Sequence, residues 1–352
     1  MNRENFRFEA PERTRSLAMS LLLGCAFACS DSATNASTQT ANNAQQPSAT
    51  ETNVSKPTML PDGPVMYATT GNDQTVCGSA KFCDDFEGAT AAAPPQSPWT
   101  VTQTNGSVVV DTTRAFRGTK SVKATTLSTA ASGQTYKRAL IGLGAGSPAI
   151  PATNNAFYGR MMFYLDSAPQ TSLHWTFLDA TGPVPGAGYS STYRYGGQRP
   201  IMDGSTFKGS ELMANYDTLQ FYATPPVGPN TDCYKHADAK VVPVGKWSCA
   251  EWYFDGTNNQ MKFWLDGAEV SGIDIDKTGE GCSGADAKDT PGYVWAGPTI
   301  AQIDLGWESY ASDDERTIWI DDVVISQTQV GCPGVAAAAS ANTNDTPNRG
   351  AY

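Results

Sequence analysis

The chain has 352 residues, of which 24 are Lys or Arg and 35 are Asp or Glu, so its formal net charge at pH 7 is −11. This excess of acids argues against nucleic-acid binding, which needs a positive surface to displace counterions from the phosphates. With 33 Gly, 22 Pro and only 17% charged residues, the composition favours a turn-rich β structure over a helical bundle. The two histidines, His174 and His236, are too few for a multi-histidine metal centre.

Residues 1–28 have the pattern of a signal peptide. Arg13 and Arg15 precede an apolar run shorter than the ~20 residues of a transmembrane helix, and small residues follow it. The stretch Leu22-Leu23-Gly24-Cys25 is similar to a bacterial lipoprotein signal, whereas cleavage before Cys29 would leave an even set of cysteines, so either cysteine remains open as the lipid site. We expect export, as an outer-membrane lipoprotein or a secreted protein, with membrane contact only through the lipid anchor.

The remaining chain divides by composition into three parts. Residues 29–75 are mostly Ser, Thr, Asn, Ala and Gln, a composition with too little apolar surface to fold, and predict a disordered tether. Residues 334–352 predict a disordered tail for the same reason. Residues 76–333 hold the apolar and aromatic runs, and we expect them to form one domain and a monomer.

Short β-branched or aromatic runs in this domain predict strands. They are bounded by Gly, Pro, Asn and Asp and cover residues 108–110, 157–165, 174–178, 219–222, 252–254, 261–265 and 318–325. Asp266-Gly267 between two such runs is a strong two-residue hairpin signal. No stretch keeps helical spacing for more than a turn or two. The prediction is an all-β domain, a two-sheet antiparallel sandwich of the jelly-roll type.

Alternation along two of these strands separates possible groove residues from core residues. In 157–165, Tyr158, Arg160 and Tyr164 share one face, which is either a solvated surface or a groove that stacks sugar rings on aromatic side chains. In 174–178, Trp175 and Phe177 are the expected core residues, which directs His174 to the opposite face. The six cysteines of the domain should form disulfides after export, in a pairing that spacing leaves open.

A series of motifs follows in fixed order along residues 85–333. The early motifs are Asp84-Asp85-Phe86-Glu87, Val110-Asp111-Thr112-Thr113, Tyr158-Gly159-Arg160, His174-x-Thr176-Phe177 and Arg194-x-Gly196-Gly197-Gln198. The late motifs are Trp247-Ser248-Cys249-Ala250-Glu251, Phe263-Trp264-Leu265-Asp266-Gly267, Ile303 to Tyr310, Ile318-Trp319-Ile320-Asp321-Asp322 and Val330-Gly331-Cys332. As an ordered set they resemble the family of cellulose-induced secreted proteins of filamentous fungi. That family has a concanavalin A-like β-jelly roll and is related to glucuronan lyases.

The resemblance implies a structural calcium ion and a set of disulfides. In the family, the carboxylates that match Glu87 and Asp321 bind calcium together with main-chain oxygens of the loop that matches Arg117 to Lys120. Carboxylate and carbonyl oxygens are the ligands that calcium prefers. The family also pairs the cysteines matching Cys249 and Cys332. The proximity of Cys77 to Cys83 then suggests that pair, which leaves Cys233 with Cys282.

The resemblance also implies a polar groove that holds His174, Arg194 and Gln198. We expect these residues to share one concave face with Arg160, beside Tyr158 and Tyr164. One departure concerns the family histidine two places before the arginine, since this position is Thr192 here.

Two functions follow from the groove. A lyase acting on uronic-acid polymers must neutralise a carboxylate, remove the adjacent proton and protonate the leaving oxygen. Arg194 with Gln198 suits the first task, and His174, Tyr310 or Tyr195 suits the proton transfers. The alternative is a non-catalytic, calcium-stabilised, lectin-like protein that binds glycans. The partner in either case is a polysaccharide, either glucuronan-like or a plant cell-wall glycan.

Overall fold

The structure is a computed structural model that describes residues 77–333 apart from 79, 130–135, 219–227, 285, 287–289 and 291. The predicted signal peptide, tether and tail, and the predicted strand 219–222, lie outside the described residues. No helix within the described ranges has the length and apolar character needed to span a membrane.

Seventeen strands make up nearly all the regular structure of the described residues. In chain order they are β1 (Phe82–Asp84), β2 (Thr100–Thr104), β3 (Gly106–Asp111), β4 (Ser121–Thr126), β5 (Lys137–Leu143), β6 (Ala156–Leu165), β7 (Trp175–Pro183), β8 (Ser190–Asp203), β9 (Thr206–Thr218), β10 (Asp232–Val241), β11 (Trp247–Asp255), β12 (Gln260–Leu265), β13 (Ala268–Glu269), β14 (Ile275–Asp276), β15 (Gly281–Cys282), β16 (Gln302–Ser309) and β17 (Arg316–Ser326). Two short 3₁₀ turns cover Thr153–Asn155 and Ser271–Ile273.

The strands form two antiparallel sheets. The first sheet has the order β13-β12-β11-β6-β17-β4-β3, with β1 paired to β17 and β14 paired to β12. The second sheet has the order β15-β10-β9-β8-β7-β16-β5-β2. β6 and β7 are consecutive in sequence but belong to different sheets, so the chain crosses from one layer to the other between them. This architecture confirms the predicted all-β, concanavalin A-like jelly-roll sandwich.

Aromatic side chains from both sheets fill the space between the layers. Trp175 of β7 stacks on Trp307 of β16 with ring centroids 4.7 Å apart. Tyr195 of β8 stacks on Phe254 of the first sheet at 5.6 Å, which joins the two layers. All four residues are fully buried. Because strand residues alternate between faces, this core leaves the intervening residues of the second sheet on its outer face.

An irregularity in β7 and β16 interrupts the alternation. The register between these strands shifts between Leu305 and Glu308, and that between β7 and β8 shifts between Thr176 and Leu178. Phe177 and Leu178, consecutive residues of β7, both lie in the core. Such a bulge adds a residue to one strand and reverses the facing of those that follow it. Gly306 of β16 has φ +148°, and a Cβ there would lie 2.2 Å from the carbonyl oxygen of Ala139.

Three disulfides are present among the described residues. They pair Cys77 with Cys83, Cys233 with Cys282, and Cys249 with Cys332, which confirms all three predicted pairs. The third one holds the segment after β17 against β11. The Glu251 carboxylate fastens the same segment by accepting hydrogen bonds from the backbone N–H groups of Val330 and Gly331, at 2.6 and 2.9 Å.

Candidate active-site cleft

The outer face of the second sheet carries a cleft of about 610 Å³. Three rows of side chains run across β16, β7, β8, β9 and β10 on this face, and part of them forms the floor of the cleft. By strand pairing, the first row is Gln302, Thr181, Thr192, Asp217 and Asp232; the second is Asp304, Asp179, Arg194, Asn215 and Tyr234; the third is Glu308, Thr176, Gly196, Met213 and His236. Thirteen of the described side chains that line the cleft are polar or charged, and Arg194 lies near the middle of the second row.

Arg194 provides a buried positive charge in the cleft. Its side chain is 7% exposed, and its Nη1 forms an ion pair with Asp217. Burial alone would lower the pKa of Arg194, but the neighbouring Asp217 carboxylate raises that pKa well above its ordinary value. The guanidinium carbon also lies 5.6 Å from the ring centroid of Tyr310. Arg194 is therefore permanently charged and held in place by Asp217 and by the aromatic ring.

His174 and Tyr310 lie side by side at one end of the cleft. Their ring centroids are 4.7 Å apart, and both side chains line the cavity. Burial lowers the pKa of His174 to about 4, against the opposing effect of Asp232 and with a further lowering by Arg194. The imidazole is consequently neutral at pH 7. Within the described residues its buried Nε2 atom has no hydrogen-bond partner, so this nitrogen is available to a ligand.

Tyr310 is a protonated phenol with a fixed partner. Its hydroxyl donates a hydrogen bond of 2.6 Å to Glu308 Oε2, and Tyr136 donates to the other oxygen of the same carboxylate. Burial raises the pKa of Tyr310 well above its usual value, and the Glu308 charge acts in the same direction although Arg194 opposes it. Tyr310 therefore keeps its proton at neutral pH, and Glu308 is positioned to orient its hydroxyl.

Carboxylates outnumber cations among the described side chains that line the cleft. The carboxylates are Asp179, Asp217, Asp232, Asp304 and Glu308, and the cations are Arg138 and Arg194. Asp179 and Asp304 are paired residues on adjacent strands. Burial raises the pKa of Asp304 to about 6, while burial and then the Asp304 charge raise the pKa of Asp179 well above its usual value. At neutral pH the cleft has a net negative lining around one central guanidinium.

A smaller hollow of about 220 Å³ continues from the cleft and shares His174 and Asp232 with it. It is lined by Gln198, Asn215 and other side chains, including Arg199, Tyr234 and Ser283. Asn215 is 1% exposed and donates hydrogen bonds of 2.9 Å to Asp232 Oδ1 and to the carbonyl oxygen of Cys233. The structure therefore brings His174, Arg194 and Tyr310 together in the cleft and places Gln198 beside them in the adjoining hollow.

The expectation that Tyr158, Arg160 and Tyr164 share this face is wrong. They belong to β6 of the first sheet and lie on that sheet's outer face, on the other side of the sandwich. Arg160 is 4% exposed and donates a hydrogen bond of 3.2 Å to the carbonyl oxygen of Gly331. The ring of Tyr164 is covered by the guanidinium of Arg114, which lies 3.7 Å from its centroid. These side chains pack against a loop and the segment after β17.

Tyr195 does not line the cleft either. It alternates with Arg194 along β8 and therefore points into the core, where it is fully buried against Phe254 and Phe263. Its hydroxyl faces the carbonyl oxygen of Ile273 at 3.5 Å. Neither proton transfer nor substrate contact is open to Tyr195, so that expectation is also wrong.

The acidic part of the cleft was not predicted from the sequence. Strict alternation from Trp175 and Phe177 would place Asp179 in the core, and only the bulge in β7 turns it outwards. Asp304 and Glu308 alternate with the core residues Leu305 and Trp307, so their facing could have been read from the sequence. Asp217 needed the knowledge that β9 lies beside β8.

The two carboxylates expected to bind calcium contact one loop, between β3 and β4. Asp321 accepts hydrogen bonds from the N–H groups of Phe116 and Arg117, at 2.8 and 3.2 Å, and from that of Asp322. Glu87 Oε1 accepts hydrogen bonds of 2.7 Å from the N–H groups of Thr119 and Lys120. Burial, and then the charge of Asp322, raise the pKa of Asp321 to about 8.

The side chains at this loop could supply some, but not all, of the oxygen ligands that calcium needs. Each carboxylate retains lone pairs for a cation, since a carboxylate has about four acceptor positions. Lys120 Nζ, however, donates to the carbonyl oxygens of Glu87 and Ala89, at 2.7 and 2.9 Å. Across the described ranges, no group of three or more His, Cys, Asp or Glu side chains is placed to hold a metal ion. Calcium needs six or more oxygen ligands, roughly, so main-chain oxygens would have to supply most of them. Calcium binding stays a prediction.

A comparison with models of known protein families shows to which family the chain belongs. A family model described as Cip1-like, core domain, of the polysaccharide-lyase-like type, matches residues 85–328. The chain belongs to this family. The match spans the strands from β2 to β17, so the sandwich and its cleft together form a Cip1-like domain, and the resemblance inferred from the ordered motifs is confirmed. No curated protein matches the sequence.

Several solved structures are similar to this Cip1-like domain. The cellulose induced protein Cip1 matches at 22% identity and a TM-score of 0.44, over 71% of this chain and 99% of that chain. An endo-β-1,4-glucuronan lyase from the fungus Trichoderma reesei matches at 17% identity and a TM-score of 0.45, over 71% and 96%. The alginate lyase vAL-1 from Chlorella virus matches at 11% identity and a TM-score of 0.37, over 65% and 93%.

Proposed function

We propose that this Cip1-like protein is a polysaccharide lyase that cleaves uronic-acid-containing chains by β-elimination in the cleft of the second sheet. One observation carries the proposal. A fixed guanidinium, a neutral imidazole with a free nitrogen and a protonated phenol meet in a single cavity, at Arg194, His174 and Tyr310. These are the three chemical groups that the elimination requires.

Arg194 binds the carboxylate of the uronic acid. Its charge stabilises the negative charge that spreads over this carboxylate when the adjacent carbon loses its proton. The Nε atom of Arg194 has no hydrogen-bond partner within the described residues, so the guanidinium keeps a donor for the substrate. The ion pair with Asp217 holds the guanidinium in place before the substrate arrives.

His174 and Tyr310 carry the proton transfers. The lone pair of His174 Nε2 takes the proton from C5 of the uronic acid, and the electron pair of that C–H bond forms the C4–C5 double bond. The C4–O bond breaks at the same time, and the leaving oxygen receives the hydroxyl proton of Tyr310. Glu308, which accepts the hydrogen bond of Tyr310 at 2.6 Å, orients this proton. The products are an unsaturated uronic-acid end and a free hydroxyl on the other fragment.

The decisive experiment measures the ultraviolet absorbance of the unsaturated product on a panel of uronic-acid polymers. His174→Gln and Tyr310→Phe should each lower the rate about a hundredfold or more, because each removes a proton-transfer group. The matched control is Tyr164→Phe on the outer face of the first sheet, which should retain the wild-type rate. A wild-type protein that produces no absorbance on any uronic-acid polymer contradicts the proposal.

A non-catalytic glycan-binding function is the second candidate, and the acidic lining favours it. The five carboxylates of the cleft can accept hydrogen bonds from sugar hydroxyls without any chemistry. Calorimetry with neutral cello-oligosaccharides tests this function. Tight binding of the neutral ligand with no cleavage of any uronic-acid polymer would support the lectin-like function and exclude the lyase.

We also propose that the protein is exported and anchored by a lipid on Cys25 or Cys29. The support is the sequence pattern of residues 1–28. Growth with a labelled fatty acid should label the wild-type chain, and only one of the variants Cys25→Ser and Cys29→Ser should lose the label. Retention of the label in both variants would contradict an anchor at a single one of these cysteines.

A further inference from the structure

We infer that the cleft recognises a single uronic-acid residue flanked by uncharged sugars, so that the substrate is a mixed polysaccharide and not a homopolymer of uronic acid. The inference rests on the proposed lyase function and concerns the class of its substrate. It follows from where the charges lie along the three rows of the second sheet.

Among the described residues, one position of the floor is suited to a carboxylate. In the second row, Arg194 lies between Asp179 of β7 and Asn215 of β9. Asp304 follows Asp179 on the next strand, and Asp217 lies beside Asn215 one row away. A carboxylate bound at Arg194 therefore has acidic neighbours on two sides. Asp179 and Asp304 lie towards β16, and Asp217 lies in the first row.

The second cation of the cleft, Arg138, does not provide a second binding position for a carboxylate. Arg138 lies on β5, where its strand partner is Glu308, and its guanidinium carbon is 5.6 Å from the Tyr136 ring centroid. Arg138 and Glu308 carry opposite unit charges at that edge, as Arg194 and Asp217 do nearer the middle of the sheet. Arg194 is the more central of the two guanidinium groups, because it lies in the middle of the second row.

The sugar positions on either side of Arg194 disfavour a second carboxylate. Towards β16, a neighbouring sugar meets Asp304, which is ionised above its pKa of about 6 and then repels a negative group. Towards β10, it meets the hollow, which is lined by the Asp232 carboxylate and by Arg199, whose guanidinium lies 3.9 Å from the carboxylate of Glu280. Like charges brought together in this way oppose binding and serve to exclude the wrong ligand.

A series of partly reduced polymers tests the inference with the linkage held constant. Reducing a growing fraction of the carboxylates of a β-1,4-glucuronan to alcohols yields chains whose uronic acids are increasingly isolated. We expect the cleavage rate per remaining uronic acid to rise along the series. Cleavage of every member at the same rate per uronic acid, or fastest on the unreduced chain, would overturn the inference and leave the lyase function intact.

Affinity along the same series separates failure of the inference from failure of the lyase function. Calorimetry should show the tightest binding, per uronic acid, for partly reduced chains, whether or not the protein cleaves them. If no chain is cleaved, the lyase function fails, and the order of affinities still decides the inference. Affinity that rises steadily with carboxylate content would overturn it.

Two substitutions test which carboxylates of the cleft disfavour a second uronic acid beside the one bound at Arg194. At pH 7, above the pKa of about 6 of Asp304, Asp304→Asn and Asp232→Asn each remove a negative charge on either side of Arg194 with little change in shape. Each should raise the relative affinity for unreduced glucuronan over the partly reduced chain, by roughly fivefold. The matched control is Asp203→Asn, an exposed carboxylate at the end of β8 whose side chain is 79% exposed, which should leave the preference unchanged. An unchanged preference in both cleft variants would contradict the assignment.

Discussion

His174 and Asp304 set the pH range in which the cleft can act. His174 must be neutral to take a proton, and burial lowers its pKa to about 4, so this requirement is met as the pH rises through that value. Asp304 is neutral below its pKa of about 6, which burial has raised, and becomes a repelling anion above it. Activity therefore needs a pH high enough for His174 to be neutral and low enough for Asp304 to be protonated.

We therefore predict a bell-shaped dependence of kcat/KM on glucuronan, with a maximum near pH 5 between the two values. Asp304→Asn should remove the fall above about pH 6 and keep the rise near pH 4. Initial rates across a pH series measure both limbs. If the variant keeps the wild-type fall on the alkaline side, a group other than Asp304 is responsible for it.

At the level of loops and strands, the loop between β3 and β4 depends on two carboxylates from elsewhere in the chain. Glu87 and Asp321 both accept backbone N–H groups from residues 116–120. This arrangement fastens the loop to the end of the first sheet, and the same arrangement is where calcium is expected to bind.

We predict that calcium raises the melting temperature and that a chelator reverses the effect. A ligand that binds only the folded protein stabilises it by about 2.7 kcal/mol at a hundred times its Kd. Glu87→Gln should abolish the calcium response by removing a charged ligand. Asp314→Asn, whose side chain is 82% exposed, is the matched control and should respond as the wild type does. Equal melting temperatures of the wild type in calcium and in chelator would exclude the site.

The disulfide between Cys249 and Cys332 connects residues 83 apart in sequence, whereas Cys77 and Cys83 are 6 apart. In the chain-entropy account, a longer closed loop restricts the unfolded chain more. Replacing both Cys249 and Cys332 by Ala should therefore lower the free energy of unfolding by about 4 kcal/mol, and the Cys77 and Cys83 double variant by about 2 kcal/mol.

Thermal unfolding under oxidising conditions measures this difference. The first double variant should melt roughly 10 °C below the wild type, since a domain of this size loses about 2–4 °C per kcal/mol. An equal or larger effect of the Cys77 and Cys83 variant would contradict the loop-length argument.

At the scale of the whole molecule, the protein and a uronic-acid polymer carry charge of the same sign. The net charge of −11 should slow their encounter at low ionic strength. We predict that added salt accelerates association with glucuronan, because screening shortens the range of the repulsion to about 10 Å at 0.1 M. Stopped-flow association rates measure this, with a neutral oligosaccharide as the control that should not respond. Slower association in salt would indicate attraction by a positive surface.

Much of the fold followed from the sequence, because alternation and turn residues are local signals. The core side of β7 at Trp175 and Phe177 was predicted correctly, and so was the cleft side of His174. Alternation does not say which sheet a strand joins. Tyr158 and Arg160 share a face as predicted, yet the crossover between β6 and β7 places that face on the opposite side of the sandwich.

The acidic character of the cleft escaped prediction for a related reason. It arises from strands distant in sequence, such as β7 and β16, which pair so that Asp179 faces Asp304. Register between strands is a property of the folded sheet, and a single bulge alters which residues face outwards. Arg194, by contrast, lies in a motif of the family and alternates with the core residues Tyr193 and Tyr195, so its position in the cleft could be predicted.

The alternation of cleft and core residues in the second sheet makes this domain a scaffold for protein engineering. Asp304 and Asp232 lie on strands whose intervening residues, Ile303, Leu305 and Cys233, belong to the core. A combinatorial library at the outward positions can therefore vary the charge pattern while the packing between the sheets keeps its sequence. Selection from such a library on glycan arrays would yield reagents that distinguish polysaccharides by the spacing of their acidic sugars.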